Sequence, residues 1–157
     1  MAFQTSVNQK LAVGVVGDFY DNSPRRVDPY TIASSSAGSI GCAYTVDSSD
    51  PSKVNLGGTG VFAGIAVNSK ERARAGLAAS LAFKQYDEAE ICSMGRVWLS
   101  IAADVTVGNA AYFNKTTGAI IAAASGETVE GYTEIAGSKF ILVDGSSAAP
   151  MVVLQLG

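Results

Sequence analysis

The densest acidic group in this sequence is Asp87, Glu88 and Glu90, a spacing at which carboxylates could share a proton or a metal ion. Little else completes such a site. The chain has no histidine, which removes the commonest general base, the commonest metal ligand and every Ser-His or Cys-His arrangement together. Adjacent carboxylates on a polar segment are ordinarily solvated, and these three read that way. A serine nucleophile working with lysine would need a G-x-S-x-G or S-x-x-K element, and the sequence has neither. The glycine run Gly57-Gly58-Thr59-Gly60-Val61-Phe62-Ala63-Gly64 lacks the G-x-G-x-x-G and Gly-Lys-Ser/Thr spacings of phosphate loops. It leads into a predicted strand, where its amides would not sit at a helix N-terminus, so it reads as a turn. No catalytic residue, metal ligand or cofactor is expected.

Cys42 and Cys92 lie outside any C-x-x-C spacing and read as free thiols, Cys42 as a core residue of a strand. Trp98, the single tryptophan, reads as a core or interface anchor. Asn114-Lys115-Thr116 matches a glycosylation acceptor, a tripeptide that arises readily by chance. The basic cluster Lys70, Arg72 and Arg74 is interrupted by Glu71 and reads as a solvated face. With 11 Lys and Arg scattered through a chain of net charge -3, there is no basic footprint for nucleic acid.

The 157 residues suit one domain, and a domain of this size buries roughly 70% of its extended-chain surface. Charged residues make up 16%, against about 25% in ordinary soluble domains. So little charge gives weak protection against self-association, and uncharged surface is expected to be covered by partners. No stretch approaches the roughly eighteen consecutive apolar residues of a membrane span, and the opening residues lack the regions of a secretory signal. The expected compartment is therefore the cytoplasm of the producing cell.

The elements that would position any site are short β-branched and aromatic runs separated by Gly, Asp, Asn and Ser. Strands are predicted over Val13 to Val16, Ile40 to Val46, Val61 to Val67, Val97 to Ile101, Ala110 to Phe113, Ala119 to Ala123, Val129 to Ile135, Lys139 to Val143 and Met151 to Leu156. In the second, Ile40, Cys42, Tyr44 and Val46 share one face and Gly41, Ala43 and Thr45 the other. The last is apolar on both faces, as a central or partner-covered strand should be. Thr117-Gly118, Ala136-Gly137-Ser138 and Asp144-Gly145 suggest successive hairpins. Residues 1 to 38, with Pro24, Pro29 and a Ser/Ala/Gly run, read as an extended arm on a β domain spanning 39 to 157. Residues 69 to 94, rich in Ala, Glu, Lys, Arg and Leu, read as a helix or as a long loop with a short helix.

The opening Phe3-Gln4-Thr5-Ser6-Val7-Asn8, then Gly17-Asp18-Phe19 and Asn22-Ser23-Pro24-Arg25, resembles the FQ-x-x-VN, GDF and NPR elements of the structural cement, or head decoration, proteins of tailed phages with HK97-type capsids. Gly95-Arg96-Val97-Trp98, Thr106-Val107-Gly108 and Ala111-Tyr112-Phe113 resemble later elements of that family in the same order. Ser23 interrupts the NPR element, and Val67-Asn68 stands where the family tends to carry a basic pair.

The resemblance implies an all-β, β-sandwich or jelly-roll-like subunit without enzymatic activity, bound to the major capsid protein on the exterior of the virion. It implies a homodimer ahead of a homotrimer, with no nucleic acid and no membrane. Phe3, Gln4, Val7, Asn8, Gly17, Asp18, Phe19, Arg25 and Arg26 are the expected capsid or subunit contacts, with Trp98 and Cys42 structural. A carbohydrate-binding or adhesion module of the virion or tail is the alternative, but it would gather aromatics in one region. Here Tyr20, Tyr30, Tyr44, Tyr86, Tyr112 and Tyr132 are dispersed.

Overall fold

The structure is a computed structural model that describes residues 14–36, 38–68, 82–102, 104–144 and 150–157. These residues form twelve strands and, among them, no helix, as the sequence pattern predicts for an all-β chain. Five strands close into a ring in the order β1 (Arg26–Ile32), β4 (Lys53–Leu56), β3 (Ala43–Val46), β5 (Phe62–Ala66) and β7 (Glu88–Ser100), with β7 returning to pair with β1. All contacts in the ring are antiparallel except the short β1–β4 pairing. The C-terminal half of β7 carries the sheet on to β12 (Met151–Leu156) and β11 (Lys139–Asp144). A three-stranded sheet of β10 (Tyr132–Glu134), β8 (Ala110–Asn114) and β9 (Ile120–Ala123) stands apart, as does the minimal pair β2 (Gly38–Ser39) and β6 (Ala82–Phe83).

The alternation in β3 explains why the sheets layer as they do. Tyr44 joins Ile32, Val54, Leu56, Ala63, Ala66, Ala89 and Ile91, contributed by all five ring strands, and Phe83 closes edge-on against it. That cluster fills the ring, as side chains fill any barrel this small. Ala43, one residue earlier, faces a second core with Ile65, Val97, Leu99, Phe113, Phe140, Val152 and Leu154, between the ring wall and the remaining strands. Each fully buried Ile, Leu or Phe here contributes roughly 1.5–3 kcal/mol of transfer free energy. The layering is sandwich-like, with one layer curled into a closed ring.

β7 holds the two cores together. Arg26 pairs with Met94 and Val27 with Cys92, so Ser93 is bulged out of the ladder. A bulge bends its strand; the neighbours Ile91 and Cys92 are both fully buried because one faces the ring core and the other the outer core. Before the bulge β7 pairs with β1 and β5; after it, with Arg26 at the start of β1 and then with β12.

Several sequence expectations need correction. Within the stretch read as helix or loop, residues 82–83 and 88–94 are strand; residues 69–81 lie outside the described residues. Its Ala, Glu and Lys content favours helix locally, but pairing on both sides of β7 outweighs propensities of a few tenths of a kcal/mol per residue. Asp87, Glu88 and Glu90 therefore sit at the start of a strand, with Glu88 and Glu90 exposed and Ala89 buried between them.

Within the segment read as an arm, residues 26–32 form β1 and pair with β4 and β7 in the ring. Pro29, which suggested an unpaired segment, is accommodated opposite Glu90. Gly14 to Val16 is not strand, and Val13 lies outside the described residues. Thr117-Gly118 does join a hairpin, β8 to β9, whereas Ala136-Gly137-Ser138 carries the chain from one sheet to the other. β12 is central, between β7 and β11, as its two apolar faces require.

Candidate functional site

The Gly17-Asp18-Phe19 element lies along the C-terminal half of β7. The Gly17 N–H donates to Trp98 O at 2.8 Å, the Trp98 N–H to Asp18 O at 2.9 Å and the Tyr20 N–H to Arg96 O at 2.9 Å. Phe19 forms an isolated bridge with Val97 and packs on the core beneath. On its other side Gly17 accepts from the Asn68 N–H at 3.0 Å, while Asn68 Nδ2 donates to Asp18 Oδ1 at 3.1 Å. Gly17 is buried with φ of +86°, and a Cβ there would meet Ile40 Cγ2 at 2.1 Å. Only glycine suits both constraints.

The rest of the segment is pinned by side chains. Arg96 Nη1 donates to Asp21 Oδ2 at 2.7 Å. Hydrogen bonds from Ser23, aided by Arg96, hold the Asp21 carboxyl below the usual range. The Arg25 guanidinium lies 4.3 Å over the Phe19 ring, a cation–π contact. Tyr20 stands edge-on to Trp98 at 5.5 Å and keeps 40% of its surface exposed, whereas Trp98 keeps 9%. Arg25 and Arg26 are exposed, Arg26 paired with Asp28 at 3.0 Å.

Of the nine expected contact residues, Phe3, Gln4, Val7 and Asn8 lie outside the described residues. Gly17, Asp18 and Phe19 are brought together with Trp98, but through bonds within the chain. The Arg26 side chain is 71% exposed, and the Arg25 guanidinium lies over the Phe19 ring. Asn68, Asp21 and Arg96 complete the clamp, and sequence reasoning missed them. The pairs Asp18–Asn68 and Asp21–Arg96 are separated by 50 and 75 positions, so no local pattern links them.

The other sequence candidates have structural places. Gly57 and Gly58 form the turn between β4 and β5, with the Gly58 N–H donating to Lys115 O and Thr45 Oγ1 to Gly57 O. Asn114 Oδ1 accepts from the Thr116 and Thr117 amides and caps the β8–β9 turn. Cys42 and Cys92 are free, Cys92 fully buried and Cys42 half-buried against the ring core. Burial pushes the Cys92 thiol up to about 11. Lys70, Arg72 and Arg74 lie outside the described residues.

Among the described residues no three His, Cys, Asp or Glu side chains gather as metal ligands would. What this region offers is a partly aromatic surface with two exposed cations, suited to contact.

Known proteins place this geometry. Among solved structures, a chain of the capsid of Myoviridae phage XM1 has the same fold, with a TM-score of 0.70 and 18% identity over 100% of this chain and 98% of that one. No curated protein matches. Residues 3–157 match the family described as structural cement protein (E217 gp24/Pam3 gp6). The match takes in both the opening FQ-x-x-VN-like residues and the clamp built on β7, and the chain belongs to the phage structural cement protein family.

Proposed function

We propose that this protein binds the outer surface of a phage capsid, with the major capsid protein as partner, and stabilises the shell without catalysing a reaction. The single observation that carries this is the family match over residues 3–157, from which a capsid-binding, stabilising role follows. The clamp on β7 supports a more specific reading. Residues 17–21 are fixed to the domain, so the residues before them start from a defined point beside Trp98. Phe3, Gln4, Val7 and Asn8 then make the capsid contact, Arg25 and Arg26 add charge at its base, and Gly17, Asp18 and Phe19 hold that base in place. Copies of the protein also associate with one another, as a dimer ahead of a trimer.

Co-sedimentation with decoration-free capsids tests the proposal, together with copy number in purified virions. Saturable binding at hundreds of copies per particle is expected. A handful of copies, or no binding, would sink it.

A further inference from the structure

We propose that two copies of this chain join through β9, turning each three-stranded sheet into half of a continuous six-stranded one. This rests on the self-association included above and names the surface that performs it.

Among the described residues the two larger sheets have three edges open to a partner, and two of these carry the usual protection against pairing. β11 has Lys139 and Asp144 at its ends and a bulge at Ile141, and Phe140 is already bonded to Gly108 and Asn109. β10 is three residues long and carries the Glu134 carboxylate. β9 has none of these devices. From Gly118 to Gly126 the sequence holds no charge and no proline, and its ladder with β8 runs without a register shift. Ile121, Ala122 and Ala123 are only half-buried. Among the described residues no backbone hydrogen bond reaches Ile120–Ala123 from the side away from β8.

The hydrogen-bond phase restricts the register. Asn114 and Ala119 are bonded across the β8–β9 turn at 2.8 Å. Antiparallel bonding alternates, so Ile121 and Ala123 also bond to β8, while Ile120 and Ala122 direct their N–H and C=O groups outward. The Ile135 N–H donating to Ala111 O, on the far edge of β8, has the same phase.

Of the registers this phase allows, the one centred on Ile121 is proposed: about that two-fold axis Ile120 lies opposite Ala122 of the second copy, exchanging both bonds, and Ala122 opposite Ile120. Large faces small on the side that continues the outer core, to which Ile120 and Ala122 belong. Ile121 meets its own counterpart on the axis, a close apolar cross-strand pair with no like charges. A second copy of this chain fits the edge better than a charged partner strand would.

Sedimentation velocity on the full chain at micromolar concentration tests this, with Ala122→Pro and Ile121→Lys as variants. Proline removes an outward amide without touching the β8 ladder, and lysine sets two ammonium groups together on the axis. The expected result is a wild-type dimer of 16.1 kDa protomers that is insensitive to salt, and monomeric variants with unchanged circular dichroism and melting temperature. Should the proline variant unfold, the lysine variant decides. Folded variants that remain dimeric would overturn the β9 assignment while leaving self-association standing. A wild type that is monomeric at every concentration would overturn both. Monomeric wild type with capsid binding abolished by the two substitutions would assign the edge to a capsid strand, and would overturn the dimer as well.

Discussion

Replacing Gly17 by alanine should loosen the base of the candidate contact region by a calculable amount. Its φ of +86° is in the left-handed region, where a side chain costs about 1–2 kcal/mol. The added Cβ would also lie 2.1 Å from Ile40 Cγ2 and 2.9 Å from the Asn68 amide nitrogen. Ile40 is 7% exposed and packed in the ring core, so it has little room to move. Overpacking of that kind costs about 1–3 kcal/mol. The sum is about 2–5 kcal/mol, which in a domain of this size lowers the melting temperature by about 10 °C.

Gly108 supplies the control. Its φ is +97° and nothing lies within 4 Å of a Cβ there, so Gly108→Ala should show the backbone cost alone. Urea unfolding of both variants, followed by circular dichroism, separates strain from collision. If Gly17→Ala costs no more than Gly108→Ala, residues 17–20 are not held against β7 as described, and the clamp argument falls.

Deleting Ala2 to Val13 should leave the circular dichroism spectrum and melting temperature intact while abolishing binding to decoration-free capsids. Extending the deletion through Asp21 should also lower the melting temperature, because it strips the bonded residues from β7; equal melting temperatures for the two truncations would contradict this. At pH 8 the folded protein should leave Cys92 unalkylated, since burial raises its thiol to about 11, and mass spectrometry after unfolding without reductant should show two adducts. No adducts would mean a disulfide.

Asp21, Asp47, Asp50 and Glu134 all have lowered pKa values, chiefly through hydrogen bonds from nearby serines, with Asp50 at about 2. Their contribution to stability is complete above the ordinary carboxylate pKa of about 4 and is lost as pH falls through the folded values. Melting temperature should therefore be level near neutrality and drop between about pH 4 and 2. Asp50→Asn should flatten the lower part of that drop, and an unchanged profile would count against the hydrogen-bonding account.

Much of this fold is a local property of the chain. Period-two alternation marked Tyr44 and Ala43 for opposite faces, and two apolar faces marked Met151 to Leu156 as central, because a strand's side chains must match what lies on each side of it. The missing histidine and the FQ-x-x-VN and GDF elements were likewise enough to point away from catalysis and toward the capsid. The tertiary structure decided what depends on distant pairing. Arg-Val-Asp-Pro-Tyr-Thr-Ile has no strand-like alternation and contains a proline, and becomes β1 only because closing the ring gives it β7 and β4 as neighbours. Glu88 to Met94 has helix-forming content, yet β1 and β5 make it a strand. The engagement of Asp18 by Asn68 and of Phe19 by Val97 joins residues far apart in sequence. Loop closure over such distances is settled by the energy of the whole core, and no short window of residues carries that information.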